Sequence, residues 1–218
     1  MGAARSSQVV AAAAAVVVVA GLVFAYFQRP DHTDSGQSGD GGGMRCGTTV
    51  CQSIVGRSVG GDMVELLGGT GGGRIRVTGQ TGTFIFEMTT AEAGATINGD
   101  SLLCRDAAVG VCLVRGPHNN KVLGEVLVRK NGTWSRIQTT YLASAAYLGL
   151  HDVDEDGVAD IVAAQLACGG QCRNAFVQVF SALGPDIGCT QPAPAREQLP
   201  GWPTPAPKLS QLRPCANT

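Results

Sequence analysis

The sequence lacks an excess of charge of either sign. Sixteen Lys and Arg stand against seventeen Asp and Glu in 218 residues, a formal net charge of −1. A nucleic-acid binder needs a basic face to displace phosphate counterions, and a charged tail needs a run of one sign, so both classes are set aside. Histidine is scarce: His32, His118 and His151 are the three in the chain. None stands at ligand spacing from the cysteines, and there is no pair of Cys-x-x-Cys knuckles, which argues against zinc. No nucleophile elbow, HExxH motif or P-loop occurs, so an enzyme here would have to build its site from dispersed residues. Helical periodicity is also poor. Thr140–Leu150, TYLASAAYLGL, is the one stretch that could be a helix, and it reads equally as an approach to a strand.

Glycine, by contrast, is abundant at 31 residues. That is about twice the usual share and favours a turn-rich β protein over a helical bundle. Length bounds the chain to one domain, or one domain with appendages.

The longest apolar run covers residues 9–27, VVAAAAAVVVVAGLVFAYF, nineteen residues without a charge. As a helix it would extend roughly 28 Å, close to the hydrocarbon thickness of a bilayer. It is expected to be a transmembrane signal-anchor, with residues 1–8 cytoplasmic and the remainder outside the cell membrane, as the Arg5 side weakly favours. The alternative is a cleaved secretory signal with Val23-Phe24-Ala25 as the cleavage site, although such signals usually have shorter apolar cores. Either way the chain beyond Arg29 is exported.

Eight cysteines, an even number, lie beyond this run: Cys46, Cys51, Cys104, Cys112, Cys168, Cys172, Cys189 and Cys215. Exported thiols at this density usually pair. Sequence does not decide among the connectivities, but spacing suggests Cys46–Cys51, Cys104–Cys112, Cys168–Cys172 and Cys189–Cys215.

Residues 28–44 are polar and rich in Gly, Ser and Asp, as a flexible linker is. Residues 191–218 carry seven of the ten prolines and are expected to lie extended on the domain, tied back through Trp202 and Cys215. Between them, residues 45–190 form the extracytoplasmic β domain. Its expected strands are Met63–Leu67, Arg74–Thr78, Thr83–Met88, Val111–Val114, Val122–Val128, Thr133–Ile137, Asp160–Leu166 and Ala175–Phe180. Each is short, rich in Val, Ile or Phe, and bounded by Gly clusters or turn residues. Asn131-Gly132 reads as a two-residue hairpin turn. Three segments, starting at Met63, Val111 and Ile161, share an outline of strand, polar loop, strand and turn at a spacing of about 48 residues. An ordinary β-meander would explain the same outline.

One segment carries chemistry. His151-Asp152-Val153-Asp154-Glu155-Asp156-Gly157-Val158-Ala159-Asp160 concentrates five of the seventeen acidic residues within nine positions. Such crowding is costly unless a cation relieves it. Acids at positions 1, 3 and 5, with Gly at 6, let a tight loop aim three carboxylates at one point. The Val158 carbonyl at position 7 and Asp160 at position 9 complete an all-oxygen set that suits Ca²⁺. Position 12 is Ala163 where an EF-hand has its Glu, and no amphipathic helices flank the loop. The pattern D-x-D-x-D-G-x-x-D followed by Ile161-Val162 resembles instead the calcium loop of the FG-GAP (VCBS-type) repeat, the blade unit of integrin-like β-propellers. The resemblance covers residues 151–184. It implies Asp152, Asp154, Asp156 and Asp160 as side-chain ligands, Val158 as a carbonyl ligand, and a loop that runs into the strand from Asp160. Glu155 stands where that family often has Gly. The domain is too short for a closed propeller of four or more blades. The expected fold is therefore mainly β: a small, blade-like antiparallel domain, propeller-like but not closed, following one transmembrane helix.

The function these features suggest is a membrane-anchored extracytoplasmic module, stabilised by structural calcium, that binds an unknown protein or glycan partner or serves the envelope structurally. The alternative is a secreted or anchored hydrolase with an unrecognised active site. In neither reading does the sequence name a catalytic residue.

Overall fold

The computed structural model describes residues 43–167 and 173–215. The apolar segment 9–27, all but the last two residues of the 28–44 linker, and the pair Cys168 and Cys172 fall outside the described residues. Among the described residues no helix is long and apolar enough to cross a membrane.

The domain is mainly β. A small hairpin of β1 (Arg45–Cys46) and β2 (Thr49–Val50) is clipped by a Cys46–Cys51 disulfide. Three larger antiparallel sheets follow in chain order. The first runs β3 (Gln52–Val59), β4 (Asp62–Gly69), β5 (Gly72–Gly79) and β6 (Gly82–Glu87). A single-turn helix α1 (Thr89–Glu92) leads to the second sheet of β7 (Leu102–Arg105), β8 (Gly110–His118), β9 (Lys121–Lys130) and β10 (Thr133–Arg136). Strand β11 (Tyr141–Ala143) continues the pairing along the other half of β9. The third sheet is β12 (Leu148–His151), β13 (Asp160–Leu166), β14 (Ala175–Phe180) and β15 (Asp186–Cys189).

All eight strands expected from Val, Ile and Phe content are present. The segment Thr140–Leu150 is resolved in favour of strand, as β11, a turn and the start of β12. The spaced repeat also has a structural counterpart. The second strand of each sheet begins at residue 62, 110 or 160, and the three repeat segments occupy the second and third strands of the three meanders. At Asn131-Gly132 both φ angles are positive, at 52° and 75°, which is the backbone of a type I′ hairpin and matches the right-handed twist of β9 and β10.

Strand alternation explains how the sheets stack. From β8, Val111 and Leu113 join Val126, Val128, Leu148, Leu150, Ile161 and Ala163 in one buried cluster between the second and third sheets. Cys112 and Val114 point the other way, into a cluster with Val59, Val64, Leu66, Ile75 and Val77 of the first sheet. The middle sheet is thus covered on both faces, which is why β8 reads as an unbroken apolar run instead of alternating. On β13, Val162 and Ala164 face away from the middle sheet and pack with Val177, Val179 and Leu199. The proline-rich segment supplies this third cover: Leu199 is buried, and Trp202 and Leu212 pack beside it. Cys189 on β15 is bonded to Cys215, and Cys104 on β7 to the directly opposed Cys112 on β8.

At the corner where β4 begins, Asp62 is 5% exposed and accepts hydrogen bonds from Trp134 Nε1 and Arg129 Nε, each at 2.8 Å. The Trp134 hydrogen bond, with help from Arg129, holds its carboxyl below the ordinary value of 3.8 despite burial. A carboxylate with a depressed folded pKa adds stability above its unfolded value and loses it as pH falls through the folded value. Thermal melts of wild type and Asp62→Asn should therefore differ most above about pH 4 and converge in stronger acid. A gap that stays constant down to that range would contradict this role.

Candidate metal centre

The acidic segment is the connection between β12 and β13. His151 and Asp160 are directly opposed across the two strands, so the eight residues between them must leave and re-enter the sheet at nearly the same place. Apolar residues pin this loop from two sides. Val153 is buried with the third cluster beneath the C-terminal segment, while Val158 and Ala159 pack into the cluster between the second and third sheets. Between these anchors Asp152 and Asp154 are half-buried, and Glu155 and Asp156 are exposed.

The loop is held internally by its own carboxylates. Asp152 Oδ2 accepts from the Gly157 N–H at 3.0 Å, Asp154 Oδ1 from Asp156 at 3.3 Å, and Asp156 Oδ1 from Val158 at 2.7 Å. Asp160 Oδ2 accepts from the Val153 N–H at 2.9 Å. These bonds curl the chain so that Gly157 takes φ of 83° and Glu155 takes φ of 61°. Glycine adopts that region freely, whereas a glutamate there carries strain on the order of 1 kcal/mol.

Asp152, Asp154 and Asp156 each bring a carboxylate oxygen within 4.8 Å of the other two. Two oxygens on opposite sides of a calcium ion, each at about 2.4 Å, stand about that far apart. Asp152 Oδ1 is buried and has no hydrogen-bond donor. An acceptor shut away from water normally costs about 1–3 kcal/mol, more when charged. The all-oxygen donor set fits a hard divalent cation.

Of the expected ligands, the structure brings these three together. Asp160 lies deeper, 2% exposed, and stands outside the group, with one oxygen committed to the Val153 amide. Burial pushes its carboxyl up to about 6, and the charges of Asp154, Asp156 and Asp152 push in the same direction, against the Val153 hydrogen bond. No cation is among the groups acting on it. His151, exposed at the end of β12, stands at the base of the loop directly opposite Asp160. His118 ends β8, just before the Asn119-Asn120 turn, with Nδ1 3.1 Å from the Gly94 carbonyl.

Asp160 has a counterpart in Asp62. Both aspartates open the second strand of a sheet, and both are buried. In the first sheet the connection is the two-residue turn Gly60-Gly61, and the positive charge comes from Arg129 on the neighbouring sheet. In the third sheet the connection is the eight-residue acidic loop, and the charges acting on Asp160 are those of Asp154, Asp156 and Asp152. Sequence reading did not single out the Asp62–Arg129–Trp134 group. A lone acid after Gly-Gly gives no pattern, and its partners lie 67 and 72 residues away.

No family model, curated protein or solved structure matches the chain.

Proposed function

We propose that this protein is an extracytoplasmic, calcium-stabilised β domain, anchored to the membrane by its N-terminal segment, that acts as a binding or envelope-structural module. Two observations carry the calcium reading: Asp152, Asp154 and Asp156 bring carboxylate oxygens together, and Asp152 also holds a buried oxygen, Oδ1, without a hydrogen-bond donor. Like charges this close repel by about 1 kcal/mol per pair in water, and by several times that where burial lowers the dielectric. A bound Ca²⁺ removes that repulsion. It would take one oxygen from each of the three aspartates and the Val158 carbonyl, with Asp160 contributing directly or through water.

The blade-like reading is supported by three consecutive four-stranded meanders stacked face to face, with the acidic loop between the first two strands of the last one. Three disulfides among the described residues support an oxidising compartment, and the uncharged 9–27 run supports an anchor or an export signal. In this reading the ion is structural: it fixes the corner between β12 and β13, and with it the rim of the third sheet.

Extracellular modules bind calcium at about 10⁻⁴–10⁻³ M. Ten millimolar Ca²⁺ is then roughly 10–100 times Kd and should stabilise the fold by about 1.4–2.7 kcal/mol. For a domain of this size the melting temperature should rise by roughly 3–10 °C. Chelator should reverse the rise, and Asp154→Ala, a substitution outside the core, should abolish it. A calcium-dependent shift that survives Asp154→Ala would overturn the ligand assignment.

A further inference from the structure

The first strands of the three sheets, β3, β7 and β12, line one open cleft of about 540 Å³, closed on one side by the C-terminal segment at Thr204–Ala206. Three arginines from different strands face it: Arg57, Arg105 and Arg115. Elsewhere in the domain Arg74, Arg76, Arg129, Arg136 and Arg196 each pair with a carboxylate, while Arg45, Arg173 and Arg213 have none within 4.0 Å among the described residues. Among the described residues, none of the three cleft arginines has a carboxylate within 4.0 Å, and no acidic residue lines the cleft. Arg115 is half-buried, and its guanidinium donates to the Leu148 carbonyl, which fixes its direction. Burial pulls its pKa down, against the influence of Tyr147 and Asp100, yet an arginine keeps its charge. Tyr147 stands within electrostatic reach of both Arg105 and Arg115. Its hydroxyl lies over Gly149, where a Cβ would come within 2.4 Å of it, so glycine is required for the ring to take this place.

We propose that this cleft binds a compact organic oxyanion, a small carboxylate or phosphate ester, clamped by the Arg57, Arg105 and Arg115 guanidinium groups against the Tyr147 hydroxyl. The volume lies in the range of small-molecule sites. Guanidinium groups present paired donors that match carboxylate and phosphate oxygens. Three guanidinium groups around one open cleft that no carboxylate lines favour an anion of two or more negative charges, and the Leu103 and Pro205 walls leave room for its carbon body. None of these residues is a ligand in the acidic loop, so the proposal does not rest on calcium.

The test is titration calorimetry on the full chain in detergent at low ionic strength, with succinate and glucose 6-phosphate as probes and glucose as the neutral control. At least one anion should bind one-to-one, weaken with added salt, and leave glucose without a signal; which one binds separates carboxylate from phosphate recognition. Arg57→Gln and Arg105→Gln, both at exposed positions, should each weaken binding by about tenfold or more. Gly149→Ala, which displaces Tyr147 without changing charge, should weaken it as well, and the surface variant Arg45→Gln should not. Absence of saturable binding for both anions would overturn the proposal. So would equal loss in Arg45→Gln, or unchanged affinity in the Arg57→Gln/Arg105→Gln double variant.

Discussion

Glu125→Ala is expected to lower the unfolding free energy by about 3–5 kcal/mol, the usual cost of removing one partner of a buried charged pair. Glu125 is 1% exposed on the central strand β9. Its Oε1 accepts from the Thr90 N–H at 3.0 Å and the Thr90 hydroxyl at 2.8 Å, and its Oε2 from the Thr89 hydroxyl at 2.9 Å. Arg136 Nε lies 3.7 Å from Oε2, while the same guanidinium donates to the Glu87 carbonyl at 2.6 Å and covers the Phe86 ring. One carboxylate thus satisfies an otherwise unpaired amide at the start of α1 and ties the first sheet to the second. Alanine leaves the amide and two hydroxyls without their acceptor and takes the nearest carboxylate from the half-buried Arg136, which keeps its bond to the Glu87 carbonyl. A drop in melting temperature of roughly 6–20 °C should follow. Glu125→Gln, which keeps an acceptor for Thr90 but loses the charge, should fall between wild type and alanine. A loss below about 1 kcal/mol for alanine would show that the cluster is not holding the sheets.

The second large effect is expected from the staple on the C-terminal segment. Cys189 and Cys215 close the longest of the three described loops, with a separation of 26 residues. Chain entropy alone assigns such a bridge about 3.5 kcal/mol, against about 2.5 for Cys104–Cys112 and about 2 for Cys46–Cys51. The covered surface adds to this, because the segment seals Val162, Val177 and Val179 under Leu199. Cys189→Ser/Cys215→Ser should lower the melting temperature by roughly 7–14 °C and expose the 191–215 segment to protease first. A double variant that melts within about 2 °C of wild type, with the segment still protected, would mean that noncovalent packing alone retains it.

Where the sequence was legible, and where it was not, follows from burial. Strands such as Arg74–Gly79 and Ala175–Phe180 have one face in a core and alternate accordingly. The strand β8 is buried on both faces and gives a continuous apolar run. The first strand of each sheet escaped the same reading. Gln52–Val59 contains Gly56 and Arg57 and is largely half-exposed, and β7 and β12 are four residues each and end on Arg105 and His151. These are the strands that line the cleft. The cations facing that space break the alternation by which a strand is recognised. The same reason hides Glu125: within LGEVLV it occupies what looks like a solvent-facing position, and only the packing of α1 over β9 encloses it. The acidic loop was visible because its chemistry is local, with all its carboxylates inside nine residues. The Asp62 group and the arginine cleft are assembled from distant segments.

The reading of the loop as a cation site is tested most directly by diffraction from crystals grown in millimolar CaCl₂, with anomalous differences collected at a wavelength where calcium contributes. The account predicts an anomalous peak between Asp152, Asp154 and Asp156, with oxygen ligands at about 2.3–2.6 Å that include the Val158 carbonyl. Ordinary water in that position, with the three carboxylates turned apart, would contradict it.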